Sequence, residues 1–194
     1  MNRMNNIEEN DLEFNESNKS ICIKIAISWA LVVIWAAVIY YLSSRTAVES
    51  TVQSRNVIGL FANLLGKVIP DEETATYIDG IVRECAHGVE YFILGGLLYN
   101  ALFICLNYRR QKEMLLTAET GIEVIDRFRA FKCIVCALVI SSFYALSDEI
   151  HQLSVPGRSC QLLDLGIDMA GSLLGILLVF IIYHIFKHKN NGRY

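Results

Sequence analysis

The sequence predicts an all-α membrane protein: a four-span transmembrane helical bundle with an amphipathic interfacial helix in its first external loop. Three observations carry that prediction. Of 194 residues, 54% are apolar and only 19% charged, and the mean hydropathy is +0.39. That is too oily for an ordinary soluble domain and too short for more than one. Four apolar runs fall near the length of roughly 20 residues that a bilayer core requires. The charges lie between those runs, so their placement says more than the net charge of −3.

Residues 1–20 are polar and acidic (Glu8, Glu9, Asp11, Glu13, Glu16) and read as a disordered cytoplasmic tail. The transmembrane domain covers 21–186, with spans at about 21–42, 83–106, 131–147 and 162–186. In the first span Lys24 can snorkel to the near side, and Tyr40-Tyr41 fits an interfacial belt at the far end. Between Val48 and Ile69 apolar residues recur at helical spacing, with Glu49, Gln53, Arg55, Asn56, Asn63 and Lys67 opposite them. An interfacial helix explains this better than a fifth span; Pro70 ends it, and Asp71-Glu72-Glu73 opens the next helix.

The second span opens with polar residues, of which Arg83, His87, Glu90 and Leu94 share a narrow helical sector. Residues 107–129 form a polar loop. The third span emerges into Ser147-Asp148-Glu149-Ile150-His151-Gln152, where Tyr144, Asp148 and His151 share a face if the helix continues. Pro156-Gly157 marks a turn. The fourth span ends in a basic cytoplasmic tail, 187–194.

With four spans, the N-terminus, the 107–132 region and the C-terminus share a side holding twelve Lys and Arg residues. The other side holds five: Arg45, Arg55, Lys67, Arg83 and Arg158. The positive-inside rule therefore puts both termini in the cytoplasm. The polar ends of spans two, three and four, and Ser43-Ser44, then gather at the external face.

Ionisable residues at the edge of a bilayer segment are costly, so they mark a candidate site. Asp164, Asp168, Gly171 and Gly175 sit at i, i+4, i+7 and i+11, on one face of the fourth span. The glycines form a Gly-x-x-x-Gly packing surface, which turns the carboxylates into the bundle. There they act catalytically, bind a ligand, or serve as structural partners of Arg83 or Arg158. His87 and His151, with Glu90, Asp148 and Glu149 nearby, are candidate acids or bases. Arg83, Arg158, Gln152 and Ser43 are candidate substrate contacts, Arg158 for a phosphate or carboxylate.

No two of these residues have a diagnostic metal spacing, so no cofactor is expected and a divalent metal is not favoured. The cysteines at 22, 85, 105, 133, 136 and 160 read as small hydrophobes without a disulfide framework; a Cys85–Cys160 bridge has no support.

The ordered set Ser147-Asp148-Glu149-Ile150-His151-Gln152, Val155-Pro156-Gly157-Arg158 and Asp164-x3-Asp168-x2-Gly171-x3-Gly175 resembles the signature of the VanZ-like family of small bacterial membrane proteins. Ala86-His87-x2-Glu90-Tyr91-x2-Leu94-Gly95 and Ser43-Ser44 fit it too. Arg45, Cys160 and Met169 depart from the family pattern without touching the ionisable set. The resemblance implies a multi-pass protein of the bacterial cell membrane and a link to glycopeptide (teicoplanin-type) resistance; it implies no mechanism.

Three functions remain open. The chain is an enzyme acting on a lipid or lipid-linked envelope precursor, with His87 or His151 as base and Arg83 and Arg158 clamping an anionic headgroup. Alternatively it is a non-catalytic module that masks a surface target, or a proton relay through Glu90, His151 and Asp168. The inner halves of spans two to four lack ionisable residues, which argues against a relay. The lipid bilayer is the expected partner, and no nucleic acid is.

Overall fold

The computed structural model describes residues 2–64, 66, 71–117, 122–158 and 162–191. Side chains are described for the same set apart from 2–15, 17, 61, 110–117, 122–127 and 187–191. Among the described residues there are five helices and no strand: α1 (Asn2–Ser43), α2 (Ala47–Leu64), α3 (Glu72–Thr117), α4 (Ile122–Gln152) and α5 (Leu162–Asn191). Four stretches are long and apolar enough to cross a membrane: Asn18–Ser43, Glu72–Arg109, Phe128–Gln152 and Leu162–Phe186.

The helices outrun the predicted spans. α3, at 46 residues, is about 70 Å long at 1.5 Å per residue, against roughly 30 Å of hydrocarbon core. It begins at Glu72, at the expected Asp71-Glu72-Glu73 start and ahead of the span edge at about Arg83, and most of the expected 107–129 loop is helix up to Thr117 and again from Ile122. The acidic stretch expected as a disordered tail is helical from Asn2, and the basic tail is helical to Asn191. The reason is common to all of them. Nucleation is the costly step in helix formation, and a span that is already helical lets its flanks add one hydrogen bond per residue. The proposed stop at Pro70, Cys160 and residues 192–194 lie outside the described residues.

Local signals set the starts of α2 and α3. Thr46 and Glu49 form a reciprocal capping box: Thr46 N–H donates to Glu49 Oε2 at 2.9 Å, and Glu49 N–H donates to Thr46 Oγ1 at 3.3 Å. Asp71 caps α3 by accepting from Thr74 N–H at 2.9 Å. Between α4 and α5, Arg158 N–H donates to Val155 O at 3.1 Å, with Gly157 at φ 78°. Pro156 and Gly157 thus occupy the middle of a type II turn, where only glycine takes that φ without cost.

α3 is the axis of the bundle and touches each of the other four helices, most extensively α5. Without a hydrophobic drive inside lipid, helices associate through close packing and polar contacts. Here the packing is backbone on backbone. A Cβ at Gly171 would land on the Gly88 carbonyl oxygen, one at Gly175 on that of Phe92, and one at Gly95 on that of Ser172. Tyr91, Leu94, Leu98, Tyr99, Cys133 and Ile176 are buried around this seam. α1 is tied on by Trp35 Nε1–H, which donates to Glu90 O at 2.8 Å, and by Tyr144 OH, which donates to Ala36 O at 2.6 Å. α2 lies against α3 through Ser54 Oγ, which donates to buried Asp79 Oδ1, and through the exposed Arg55–Glu72 pair at 2.7 Å. Val48 and Leu64 of α2 remain 74% and 73% exposed, apolar surface suited to a membrane interface.

Gly175→Ala should destabilise the bundle by about 1–3 kcal/mol through overpacking. Gly166→Ala, with open space at its Cβ, should stabilise it by about 0.5–1 kcal/mol; thermal unfolding in detergent compares the two.

The Glu49 carboxyl is held below its ordinary 4.5 by the Thr46 amide and hydroxyl. A lowered folded value stabilises fully above 4.5 and is lost as pH falls through the depressed value. Amide protection factors in the first turn of α2 should therefore drop on acidification below 4.5, and Thr46→Ala, which keeps the backbone amide, should reduce that pH dependence without abolishing it.

Candidate functional site

Each helix brings polar residues to the same end of the bundle: the C-terminal ends of α1 and α4, the N-terminal ends of α3 and α5, and α2. Between α2, α3, the end of α1 and the 153–158 turn lies a cavity of about 140 Å³. That is roughly ten times the space one water needs. Of the predicted site residues, Ser43, Arg83, His87, Glu90 and Arg158 line it. On α3 they follow from helical spacing, since Arg83, His87 and Glu90 are i, i+4 and i+7 on the face turned to α2.

Behind this wall sits a buried polar brace. Ser43 Oγ–H donates to Asp148 Oδ2 at 2.8 Å, and Gln152 Nε2–H donates to the same oxygen at 3.2 Å. Arg158 Nη1–H reaches Gln152 Oε1 at 3.4 Å, and its Nε–H reaches the Arg45 carbonyl at 3.3 Å. Ala47 N–H donates to Pro156 O at 3.3 Å. The α1–α2 turn and the α4–α5 turn are thereby locked together, with Asp148 as the shared acceptor. Gln152 is 1% exposed, so the brace is shielded from competing water.

Asp168 is fully buried at 0% exposure, with Oδ1 3.9 Å from His87 Nδ1. Neither of its oxygens accepts a hydrogen bond among the described residues. Asp164, half-buried, interacts electrostatically with Arg83 and Arg158. Glu149 is buried, away from the cavity wall.

His151 belongs elsewhere. Its ring stacks on Tyr40 at 4.6 Å between centroids, and Nε2 lies 3.1 Å from Ser44 Oγ. Tyr144, Asp148 and His151 do share a helical face, but that face meets α1. The expected cup of His87, His151 and Asp164 therefore holds His87 with Asp164 beside its arginines, while His151 seals the α1–α4 seam.

The electrostatics of the wall are unusual. Arg45, Arg83 and Arg158 line it, against one carboxylate, Glu90. No carboxylate comes within 4.0 Å of Arg83 or Arg158 among the described residues. The buried ion pairs considered from the sequence are thus near-misses rather than pairs. Burial and the adjacent Arg83 guanidinium hold Arg158 below its usual value, opposed by Asp148, Glu90 and Asp164. A guanidinium stays charged in any protein. This one is consequently kept ionised beside a like charge, an arrangement that an anion would relieve. Nor do three or more His, Cys, Asp or Glu side chains gather closely enough to hold a metal, among the described residues.

Arg45, Gln53 and Ser54 of the wall were not singled out from the sequence. Arg45 was legible as one of only five cations on its side. Ser54 and its buried partner Asp79 carried no signal, because Asp79 lay before the expected start of the second span.

A helical bundle of four membrane-length spans with a charged cup at one end defines the class: an all-α integral membrane protein. Within it, the chain belongs to the VanZ/LLP1 family, whose model matches residues 28–183. No curated protein and no solved structure matches the chain.

Replacing Asp148 with alanine should destabilise the protein by about 1.5–3 kcal/mol, the range for hydrogen bonds to a charged group. Asp148→Asn, which keeps one acceptor oxygen, should cost less. Thermal unfolding of both variants in the same detergent checks the order.

Proposed function

We propose that this VanZ-like protein acts at the external face of a bacterial cell membrane on a lipid or lipid-linked envelope component, and through it contributes to glycopeptide (teicoplanin-type) resistance. The observation that carries the reading is the pair Arg83 and Arg158, lining one cavity without a carboxylate partner among the described residues. Guanidinium forks match phosphate and carboxylate oxygens bidentately, and a site near the bilayer edge raises the effective charge interaction. The count of twelve Lys and Arg against five supports termini in the cytoplasm and the cavity outside. The exposed apolar residues of α2 support its lying in the interface, where a lipid headgroup would enter beside it.

His87 supports chemistry after binding. Its ring lines the cavity while Nδ1 stands 3.9 Å from Asp168 Oδ1, beyond hydrogen-bond reach, so the two must draw together before Asp168 orients an imidazole base. Asp148 and Gln152 hold the frame around the anion, Gln152 by its contact with Arg158. The rival reading, a binding module that masks a surface target, needs the same arginines and not His87.

Arg158→Ala and Arg83→Ala, reconstituted in nanodiscs, should each weaken binding of anionic lipid at least tenfold, and cells carrying them should lose any teicoplanin protection the wild type gives. Wild-type binding in both variants would end the proposal. His87→Ala should keep binding and lose the effect on envelope lipids; retention of both would favour the masking module.

A further inference from the structure

The cavity's hydrogen-bonding inventory is two-sided. Arg83 Nε is buried without an acceptor, and Glu90 Oε2 is buried without a donor, among the described residues. Both side chains line the same space. Arg158 has spent Nε on the Arg45 carbonyl and Nη1 on Gln152, which leaves Nη2 for a guest. Arg45 is committed to Gln53 Oε1 at 3.1 Å and Tyr41 OH at 3.2 Å. An unspent donor and an unspent carboxyl oxygen therefore line the same cavity.

A simple anion answers only the first of these. It would pair with the guanidiniums and leave Glu90 Oε2 desolvated and without a donor, which is costly when buried. Arg83 and Glu90 are seven residues apart on α3, about 10 Å along the axis at 1.5 Å per residue. Both side chains reach into the one cavity, and a single anion does not supply a partner to both. A headgroup with an anion and an ammonium joined by a short arm does.

We infer that the cavity is built for a zwitterionic headgroup, with a phosphate held by Arg83 and Arg158 and a primary ammonium held by Glu90, as in phosphoethanolamine. The inference rests on the anion-binding reading above and adds the class of headgroup. The ammonium has three N–H donors, enough for Glu90 Oε2 and for backbone or water acceptors beside it. The same chemistry occurs in free O-phosphoethanolamine and in an aminophospholipid. The apolar wall residues Leu42, Val57 and Val82 give a lipid's first methylenes a surface that the free compound would not use.

The test compares affinities of the full chain in nanodiscs. Phosphatidylethanolamine should bind at least tenfold more tightly than phosphatidic acid, read by native mass spectrometry of lipid-doped discs. Titration of O-phosphoethanolamine and inorganic phosphate into discs of neutral phosphatidylcholine should give the same order. Tighter binding of the lipid than of the free compound assigns the site to a lipid, and the reverse assigns it to a soluble ligand. Glu90→Gln should erase the preference for the amine without weakening phosphatidic acid, and Arg158→Ala should weaken both. The wild-type comparison needs no variant to fold. Equal binding of both lipids, or a preference untouched by Glu90→Gln, overturns the inference and leaves the anion site standing; binding of neither lipid overturns both.

Discussion

Everything at the polar end depends on how closely α3 and α5 approach. Three glycines, Gly95, Gly171 and Gly175, face carbonyl oxygens with no room for a methyl group, and Gly88 answers from the other side. The positions are not independent of the chemistry. Gly88 follows His87 in the chain, and Gly171 lies one turn beyond Asp168. The contact that lets two backbones touch therefore also sets the 3.9 Å separation of imidazole and carboxylate. A larger residue in the seam would part the helices and the site together.

The second constraint is electrostatic. In lipid an unpaired charge is expensive, and bundles usually settle the cost by pairing acids with bases. Here the buried acids are satisfied in a different way or left waiting. Asp148 takes a hydroxyl from α1 and an amide from its own helix, so it serves as a tie between turns. Asp168 faces a histidine with its oxygens otherwise unspent. The arginines stand a short distance off, Arg158 near enough to feel Asp148, Glu90 and Asp164 and Arg83 to feel Asp164, with no ion pair formed among the described residues. Stability alone would favour closing those gaps. Open gaps make sense where a guest closes them, and that is the reason for reading the cavity as a binding site.

Much of this was legible before any coordinates. Hydropathy located the four spans, and the i, i+4, i+7 spacing of Arg83, His87 and Glu90 put them on one face. The Asp164-to-Gly175 pattern pointed to a glycine-packed face with carboxylates turned inward. The VanZ-like resemblance agreed with the family match over 28–183. The helix limits were less legible. Polar flanks such as 72–82 and 107–117 carry no bilayer signal, and they are helical because a neighbouring span had already paid for nucleation.

What the sequence by itself determined is a set of one-helix facts: which segments are apolar, which residues share a face, where caps and the Pro-Gly turn fall. These depend on local geometry, and local geometry is periodic. What only the tertiary structure decided is which faces meet. His151 looked like a partner for His87, yet the rotation of α4 against α1 sends it to Tyr40 and Ser44. Arg45 looked like a loop residue and Ser54 like part of an interfacial helix, yet the fold of α2 over α3 makes them walls of the cavity. Helical periodicity fixes angles within one helix and is silent on rotation between two, because that rotation is set by side-chain packing between segments distant in the chain.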